Sequence, residues 1–312
     1  MKNMNLRYAQ GRTLVELMIS LAIGLIIMLA VSTLYVTNTQ TYRVTDDKAL
    51  LEEDGRLALA TMAFSVRMAG YGQLLDASGS RQSGGGSTSY TGAGQALQGC
   101  SGGFTSPTAV PISCAGGTTP DSFLVRYVID SVNANQSGGV PTDCLGQAVA
   151  GGIVENRFYV QLNPATNRKE LFCAGNGGTP GSGTLLAGQP IADNVIDMKV
   201  TYGYDQDDNQ SVDGFYTAAS LAPGSSVPMP AYKDPDIQTL PPETQALMAD
   251  RFYKVLSAKI CIVVRSANDN LTPTQQKYRD CTGALVTAVD KRLYSTFSTV
   301  VSLRGRTNGR TL

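Results

Sequence analysis

The chain has 312 residues, with 25 basic and 25 acidic side chains and no histidine. An apolar fraction of 42% is enough for a hydrophobic core, whereas the zero formal charge gives no electrostatic footprint for nucleic acid. Without histidine the chain lacks the commonest general base at neutral pH, any histidine-metal site and a Ser-His-Asp triad. The composition therefore argues against an enzyme.

The N-terminal part of the chain combines a short basic leader with a long apolar run. Lys2 and Arg7 are the charges of residues 1–11, and the twenty residues from Leu17 to Val36 carry no charge. A helix of that length extends about 30 Å, which is enough to cross the hydrocarbon core of a bilayer. The basic side chains before the run place the leader in the cytoplasm and the rest of the chain on the other side.

One carboxylate, that of Glu16, lies at the edge of the apolar run. A secretory signal peptide cleaved near Ser32 and a plain signal anchor would each explain the apolar residues, but neither explains an acid at this place. An unpaired carboxylate is costly in lipid, so an acid in a membrane segment is a candidate functional residue.

The residues around Glu16 resemble the processing signal of type IV prepilins, in the stretch G-R-T-L-V-E-L-M at 11–18. In that family a membrane peptidase cuts after the glycine, here Gly11, and methylates the new first residue, here Arg12. The fifth mature residue is a glutamate, which corresponds to Glu16. Arg12 departs from the apolar residue usual at the first position, and this bears on methylation more than on cleavage. The resemblance implies processing at Gly11 and Arg12 and a role of Glu16 in assembly.

Apolar residues continue at helical spacing beyond the apolar run, and no proline occurs before Pro107. We expect one helix from Thr13 to a stop at Gly70-Tyr71-Gly72, about 80 Å long. Residues 12–36 would form its membrane or filament-core part, and residues 37–72 the part that packs on a head. Two apolar faces are available for packing, one with Leu51, Ala58, Met62 and Val66 and a neighbouring one with Leu57, Phe64 and Met68.

The remainder of the chain divides into a segment rich in glycine and serine, 73–120, and a strand-rich head, 121–312. The first segment predicts a weakly structured surface excursion. A long helix followed by strands predicts an α+β fold of the type IV pilin kind, with the helix packed on an antiparallel sheet. The predicted strands are 123–129, a hairpin of 157–162 with 170–173, 195–202, 258–264 and 296–303, with a short helix from Pro241 through Phe252.

Six cysteines without a C-x-x-C pair argue against a zinc ribbon and favour disulfides in an oxidising compartment. The sequence does not choose among the many possible pairings. We adopt nearest-neighbour pairing as the hypothesis, because each such pair brackets a loop rich in glycine, proline or polar residues. The predicted bonds are Cys100–Cys114, Cys144–Cys173 and Cys261–Cys281.

An acidic loop follows the strand predicted at 195–202 and places oxygen side chains at alternate positions, as the first half of an EF-hand loop does. Gln210 stands at the position of the turn glycine, and Tyr216 at that of the bidentate glutamate. Two interpretations stay open, a solvated hairpin tip and a calcium site, and calcium is the only cofactor indicated. The candidate ligands are Asp205, Asp207, Asn209 and Asp213.

Three further stretches resemble the PilW family of type IV pilus minor pilins. They are D-G-R-L-A-L at 54–59 with R-M-A-G-Y at 67–71, V-T-Y-G-Y-D at 200–205, and R-L-Y-S-T-F at 292–297 running to V-S-L-R at 301–304. The resemblance implies a minor pilin of type IV pilus biogenesis that joins a membrane priming subcomplex and enters the pilus at or near its tip.

The same resemblance implies the partners and the location. The partners are other minor pilins, the major pilin, prepilin peptidase, the inner-membrane assembly platform and a tip adhesin. The protein would cross the inner membrane once, with its head in the periplasm, and then become part of the extracellular pilus. Two alternatives stay open: a minor pseudopilin of a type II secretion system, and a signal-anchored binding or adhesive module that does not polymerise.

Overall fold

The computed structural model describes residues 13–70, 96–110, 112–128, 136–137, 140–149, 153–178, 185–207, 209–228 and 251–303. The chain divides into two compact units, residues 1–48 and 49–312. Some predicted features lie outside the described residues. They are the cleavage-site pair Gly11 and Arg12, Tyr71 and Gly72 at the helix stop, Ile129, and the predicted helix from Pro241 up to residue 250.

Helix α1 spans Leu14–Met68, 55 residues, as the periodic and proline-free sequence predicts. It ends where Gly70 adopts a φ of +74°, the left-handed conformation that glycine commonly supplies after a helix. The N–H of Gly70 then donates to the carbonyl of Arg126 at 3.0 Å. The predicted stop at Gly70 is therefore confirmed.

The second unit contains two main antiparallel sheets. The first has the order β1-β2-β5-β6-β7, with strands Leu97–Cys100, Ser122–Val128, Ile153–Asn163, Arg168–Gly175 and Gln189–Ala192. The second has the order β13-β10-β8-β9, with strands Tyr294–Ser302, Val255–Arg265, Val195–Tyr204 and Gly214–Thr217. The smaller elements are β3 (Gln136–Ser137), β4 (Val140–Pro141), β11 (Lys277–Arg279), β12 (Leu285–Thr287), helix α2 (Ala218–Leu221) and a 3-10 turn, Arg251–Lys254.

The α+β class is confirmed, but the strands form two main sheets instead of the single sheet expected. The predicted strand at 123–128 and the hairpin at 157–173 belong to the first sheet. The strands at 195–202, 258–264 and 296–302 belong to the second. Alternation of apolar residues identifies a strand and its buried face, but it does not identify the strand with which it pairs.

The C-terminal part of the glycine- and serine-rich segment differs from the expected surface excursion. Strand β1 pairs with β2, and its residues Leu97 and Cys100 are fully buried. At Gly99 a side chain would collide with the hydroxyl of the buried Tyr202, so this position needs a glycine for close packing. Glycine serves flexible loops and close approaches alike, and composition does not separate the two uses.

A buried ion cluster ties this segment to the first sheet. The carboxylate of Glu155 accepts hydrogen bonds from Arg126 Nε and Arg157 Nε, both at 2.6 Å. Arg157 Nη1 also donates to the carbonyls of Pro107 and Ala109, both at 2.7 Å. These charge-assisted bonds hold a region without regular secondary structure against the strands.

Residues 49–68 of α1 share one hydrophobic core with the two sheets. The first predicted face is buried: Leu51 is 3% exposed, and Ala58, Met62 and Val66 are 0% exposed. On the neighbouring face Leu57 and Phe64 are 54% and 44% exposed, whereas Met68 is partly buried against the core. A helix that lies on a sheet buries one stripe of its surface, so adjacent apolar faces cannot both be covered.

Truncation of a side chain should lower the free energy of unfolding more on the buried face of this helix than on the exposed face. We expect Met62→Ala to lower the free energy of unfolding of the head by about 2–5 kcal/mol, because it leaves a cavity in the core. Leu57→Ala should cost about 0.5 kcal/mol or less, as exposed substitutions usually do. Thermal and denaturant unfolding of the full-length protein in detergent measures both values. Equal losses would contradict the assignment of the buried face.

Candidate functional site

Helix α1 begins with T-L-V-E, in which Thr13 immediately precedes the first helical residue. Thr13 Oγ1 accepts a hydrogen bond from the backbone N–H of Glu16 at 3.3 Å. A threonine followed three residues later by a glutamate is the capping-box pattern, and a carboxylate in the first turn interacts favourably with the helix dipole. This second role of Glu16 is not implied by the resemblance to prepilins, although the four-residue pattern is visible in the sequence.

The carboxylate of Glu16 makes no hydrogen bond or ion pair with any described residue. By contrast, the hydroxyls of Ser20 and Thr33 donate to backbone carbonyls three residues earlier, at 2.9 and 2.8 Å. These two hydroxyls are therefore satisfied inside the helix, as the lipid environment requires. Glu16 is the one charged side chain between residues 13 and 36, and its carboxylate is without a partner among the described residues.

Apolar side chains surround the first part of α1 on all sides. The large apolar residues from Leu14 to Val36 are all between 52% and 75% exposed. A helix that is apolar all round is stable as a membrane span or at the centre of a larger assembly. Among the described residues, α1 is the one helix long and apolar enough to cross a bilayer, with a mean hydropathy of 2.7 in its most apolar window.

The head contains three disulfides, which are the nearest-neighbour pairs predicted from the sequence. Their Cα–Cα distances are 5.1 Å for Cys100–Cys114, 6.5 Å for Cys144–Cys173 and 5.6 Å for Cys261–Cys281, in the usual range. They tie β1 to the loop before β2, the segment before β5 to β6, and β10 to the β11–β12 hairpin. Each stabilises the head by about 3 kcal/mol in the chain-entropy account.

The acidic loop joins β8 to β9 and brings three carboxylates together. Oxygens of Asp205, Asp207 and Asp213 lie within 4.8 Å of one another. Asp205 is buried, and its two oxygens accept backbone N–H bonds from Asn209 at 3.2 Å and Gln210 at 3.0 Å. The loop's own backbone therefore accounts for the conformation of Asp205.

The backbone conformation of Gln210 and the pKa of Tyr204 show the tight turn of this loop and the negative charge in it. Gln210 has a φ of +65°, so it adopts the left-handed conformation for which a calcium loop uses glycine. Burial, together with the nearby carboxylates of Asp205 and Asp213, raises the pKa of Tyr204 to about 12. The geometry agrees with a compact hairpin tip and leaves calcium binding as a prediction.

Comparison with known proteins connects these features to a family. A sequence model of the family described as Type IV Pilus-assembly protein W matches residues 157–305, from β5 through β13. A model described as the prokaryotic N-terminal methylation motif matches residues 6–32, which include Gly11, Arg12 and Glu16. The head of this chain thus matches the PilW family of type IV pilins, and its N-terminus carries a prepilin-type signal.

The match to the methylation motif covers the processing signal and the start of the long apolar helix, and the match to the PilW family covers most of the head. A pilin with this signal is anchored in a membrane, is incorporated into a pilus and interacts with other pilins and with prepilin peptidase. It is a structural protein and not an enzyme.

Two further comparisons concern individual proteins. The fold is similar to that of a type IV-like pilin from Thermus thermophilus, with a TM-score of 0.40 and 10% sequence identity, over 82% of this chain and 96% of that one. The comparison with curated proteins found no match.

Weak calcium binding by the acidic loop between β8 and β9 remains a prediction. The expected dissociation constant is about 10⁻⁴–10⁻³ M, because Tyr216 stands at the position of the bidentate glutamate. Calorimetry of the full-length protein in detergent measures it, with Asp207→Asn as the matched variant. Asp207 is exposed, and its substitution removes a charged ligand but none of the loop's observed hydrogen bonds. If millimolar calcium gives no heat of binding and no change in melting temperature, the calcium site is excluded and the loop is a solvated hairpin tip.

Proposed function

We propose that this chain is a minor pilin that joins other minor pilins in a membrane priming subcomplex and then enters the type IV pilus at or near its tip. One observation carries the proposal. A prepilin-type signal leads directly into a helix whose first part, residues 14–36, exposes apolar side chains on all sides, and the single carboxylate of this part, that of Glu16, has no partner among the described residues. Such a helix is stable in lipid and in a bundle of similar helices. The apolar surface of residues 14–36 therefore first anchors the chain in the membrane and then packs against neighbouring subunits in the filament.

Glu16 gives this packing its register. Cleavage after Gly11 leaves a positively charged amine on Arg12, close in sequence to the start of α1. In a low dielectric an unpaired carboxylate and an unpaired amine are both costly, and pairing them between adjacent subunits removes both costs. A neighbour that packs out of register leaves both charges unpaired. The pair thus selects one axial position from the many that apolar packing alone would allow.

The same proposal assigns the topology and the remaining partners. The basic leader places the N-terminus in the cytoplasm, so the chain crosses the inner membrane once and its head lies in the periplasm. Three disulfides in the head are in keeping with that oxidising compartment. The inner-membrane assembly platform and the major pilin are the partners during extension, and a tip adhesin is the partner at the pilus end.

Two alternatives make different predictions about where the protein is found. A pseudopilin of type II secretion shares the N-terminal signal, and the match of residues 157–305 to a pilus-assembly family supports the pilus system over it. A signal-anchored adhesive module would remain in the membrane and would be absent from filaments. Purified filaments therefore separate these functions.

The test is quantitative mass spectrometry of surface filaments sheared from cells that produce the untagged protein. We expect head peptides of this chain in the filaments at low abundance relative to the major pilin. The matched control is a membrane protein of similar abundance that lacks a prepilin signal, which should be absent. Presence in the membrane together with absence from the filaments would overturn the proposal.

A further inference from the structure

The outer strands of the two main sheets differ in length and in protection. Strands β1, β7 and β9 have four residues each, whereas β13 has nine. Proteins usually protect a long edge strand with charges, proline or a bulge, because its free N–H and C=O groups pair readily with other chains. The sequence of β13, Y-S-T-F-S-T-V-V-S, has no charge and no proline, and its pairing with β10 continues over nine residue pairs without a bulge.

The register with β10 determines which backbone groups of β13 point to the open side. The N–H of Leu303 donates to the carbonyl of Leu256 at 2.8 Å. In an antiparallel ladder, residues that bond to the partner strand alternate with residues that point away from it. The odd-numbered residues of β13 therefore bond to β10. The even-numbered residues from Tyr294 to Ser302 direct their N–H and C=O groups to the open edge.

The protein itself covers the first part of this edge. The side-chain amide of Gln276 accepts a hydrogen bond from the N–H of Tyr294 at 2.7 Å and donates to its carbonyl at 3.0 Å. The hydroxyl of Thr296 donates to the carbonyl of Arg279, which belongs to β11. Gln276 thus supplies the bonds that an adjacent strand would make, and the hairpin that follows it is held to β10 by Cys261–Cys281.

The second part of the edge is open. The outward backbone groups of Ser298, Val300 and Ser302 make no hydrogen bond to any described residue. All three side chains are exposed, and that of Val300 is 56% exposed. The open edge, which we define as residues 298–302, therefore combines a row of free main-chain groups with an apolar centre and no charge.

We propose that the open edge binds an edge strand from the head of another pilin, and not of a second copy of this chain. The added strand extends the second sheet across the boundary between the two subunits. The inference rests on the proposed function, because assembly with other pilins supplies the partner. Strand addition is a recurring mode of recognition in which main-chain bonds give affinity and alternate side chains give specificity. The partner strand is uncharged where it faces Val300, since a charge there would lose its hydration without gaining an opposite charge.

The symmetry of a filament favours a different subunit over a second copy paired through the same strand. Pairing of β13 with β13 would use the same patch on both molecules and would close into a dimer. Subunits in a helical filament instead meet through two different patches, so that each contact can be followed by the next. The open edge therefore meets a strand other than β13.

Photo-crosslinking of the full-length protein in piliated cells tests this contact. A photo-reactive phenylalanine analogue replaces Val300 in one variant and Val289 in the control, since Val289 is 83% exposed and lies outside the sheet edge. We expect an adduct from position 300, and none from position 289, that contains peptides of another subunit processed at a prepilin signal. A self-adduct, an adduct with a protein that is not a pilin, or no adduct from position 300 would overturn the proposal.

A second measurement separates main-chain pairing from simple proximity. Val300→Pro removes an N–H that points away from β10 and leaves every bond to β10 in place, whereas Val300→Thr keeps the N–H. With the photo-reactive analogue at position 298, we expect the proline variant to lower the adduct yield about tenfold or more and the threonine variant to leave it within about twofold. Val300→Lys repeats the test without a backbone change, because lysine blocks edge pairing. Unchanged yields in the proline and lysine variants would overturn the proposal.

The two proposals fail in distinguishable ways. Absence of the unmodified protein from sheared filaments would contradict the function as a minor pilin. Presence of the protein in filaments, with no adduct at position 300, would leave that function intact and contradict strand addition alone.

Discussion

Gly11→Val is expected to abolish processing and to leave uncut precursor in the membrane. The peptidase must accept the bond between Gly11 and Arg12 in its active site, and a branched side chain beside that bond obstructs its approach. The uncut chain retains Lys2 and Arg7, so it has 25 basic side chains, whereas a chain cut after Gly11 would have 25 − 2 = 23 against 25 acidic ones. It also lacks the free amine on Arg12. We therefore expect no filament incorporation of this variant.

Intact-mass measurement and N-terminal sequencing of membrane-extracted protein check this result. Gly24→Val is the matched control, because it replaces another glycine of the N-terminal region, and a side chain there would meet no atom within 4 Å. That variant should be cut after Gly11 as usual. Native protein that begins at Met1, or that is cleaved near Ser32, would contradict the prepilin signal as the site of processing.

Glu16→Ala is expected to accumulate in the membrane at a normal level and to enter filaments at least about a hundredfold less well. Removing one partner of a buried ion pair costs about 3–5 kcal/mol, which corresponds to two decades or more in an association constant. The head should fold normally, because residues 49–312 form a compact unit of their own. Immunoblots of membranes and of sheared filaments from the same cells give both amounts. Normal incorporation would show that the charge is not needed.

The capping contact at the start of α1 supplies the decisive control for this prediction. Thr13→Val removes the hydrogen bond to the N–H of Glu16 but keeps the carboxylate, and loss of such a cap costs only about 1 kcal/mol. We expect this variant to enter filaments at a nearly normal level. Glu53→Gln, on an exposed position of the same helix, should behave in the same way. Equal defects in Thr13→Val and Glu16→Ala would show that Glu16 acts through the helix start.

Much of the fold could be predicted because its signals are local in the sequence. The helix over Leu14–Met68 follows from apolar periodicity, the absence of proline and the terminating Gly70. The hairpin of β5 and β6 follows from two strand-like runs with a turn between them. The three disulfides follow the nearest-neighbour hypothesis because each closes a short loop, although the sequence left other pairings open.

Parts of the candidate sites could be predicted for the same reason, and other parts could not. The charge of Glu16 within an apolar run is visible without a structure, as is the acidic composition of the loop at 205–213. The sequence did not reveal that the oxygens of Asp205 accept backbone bonds from its own loop. Bonds of this kind depend on the path of the chain, which composition does not specify.

The sequence by itself determined the anchor, the processing signal, the charge at Glu16 and the α+β class, because each depends on residues that are neighbours along the chain. Only the tertiary structure decided that the strands form two sheets, that Leu57 and Phe64 remain exposed, and that β13 is an edge strand. These features depend on which elements become neighbours in space. The strand β13 has no charge and no proline, so its sequence does not mark it as an edge strand, and its open edge exists because no other strand of the described residues pairs with residues 298–302. Pairing between distant segments is a property of the whole fold, and so the surface offered to a partner could be found only after the fold was known.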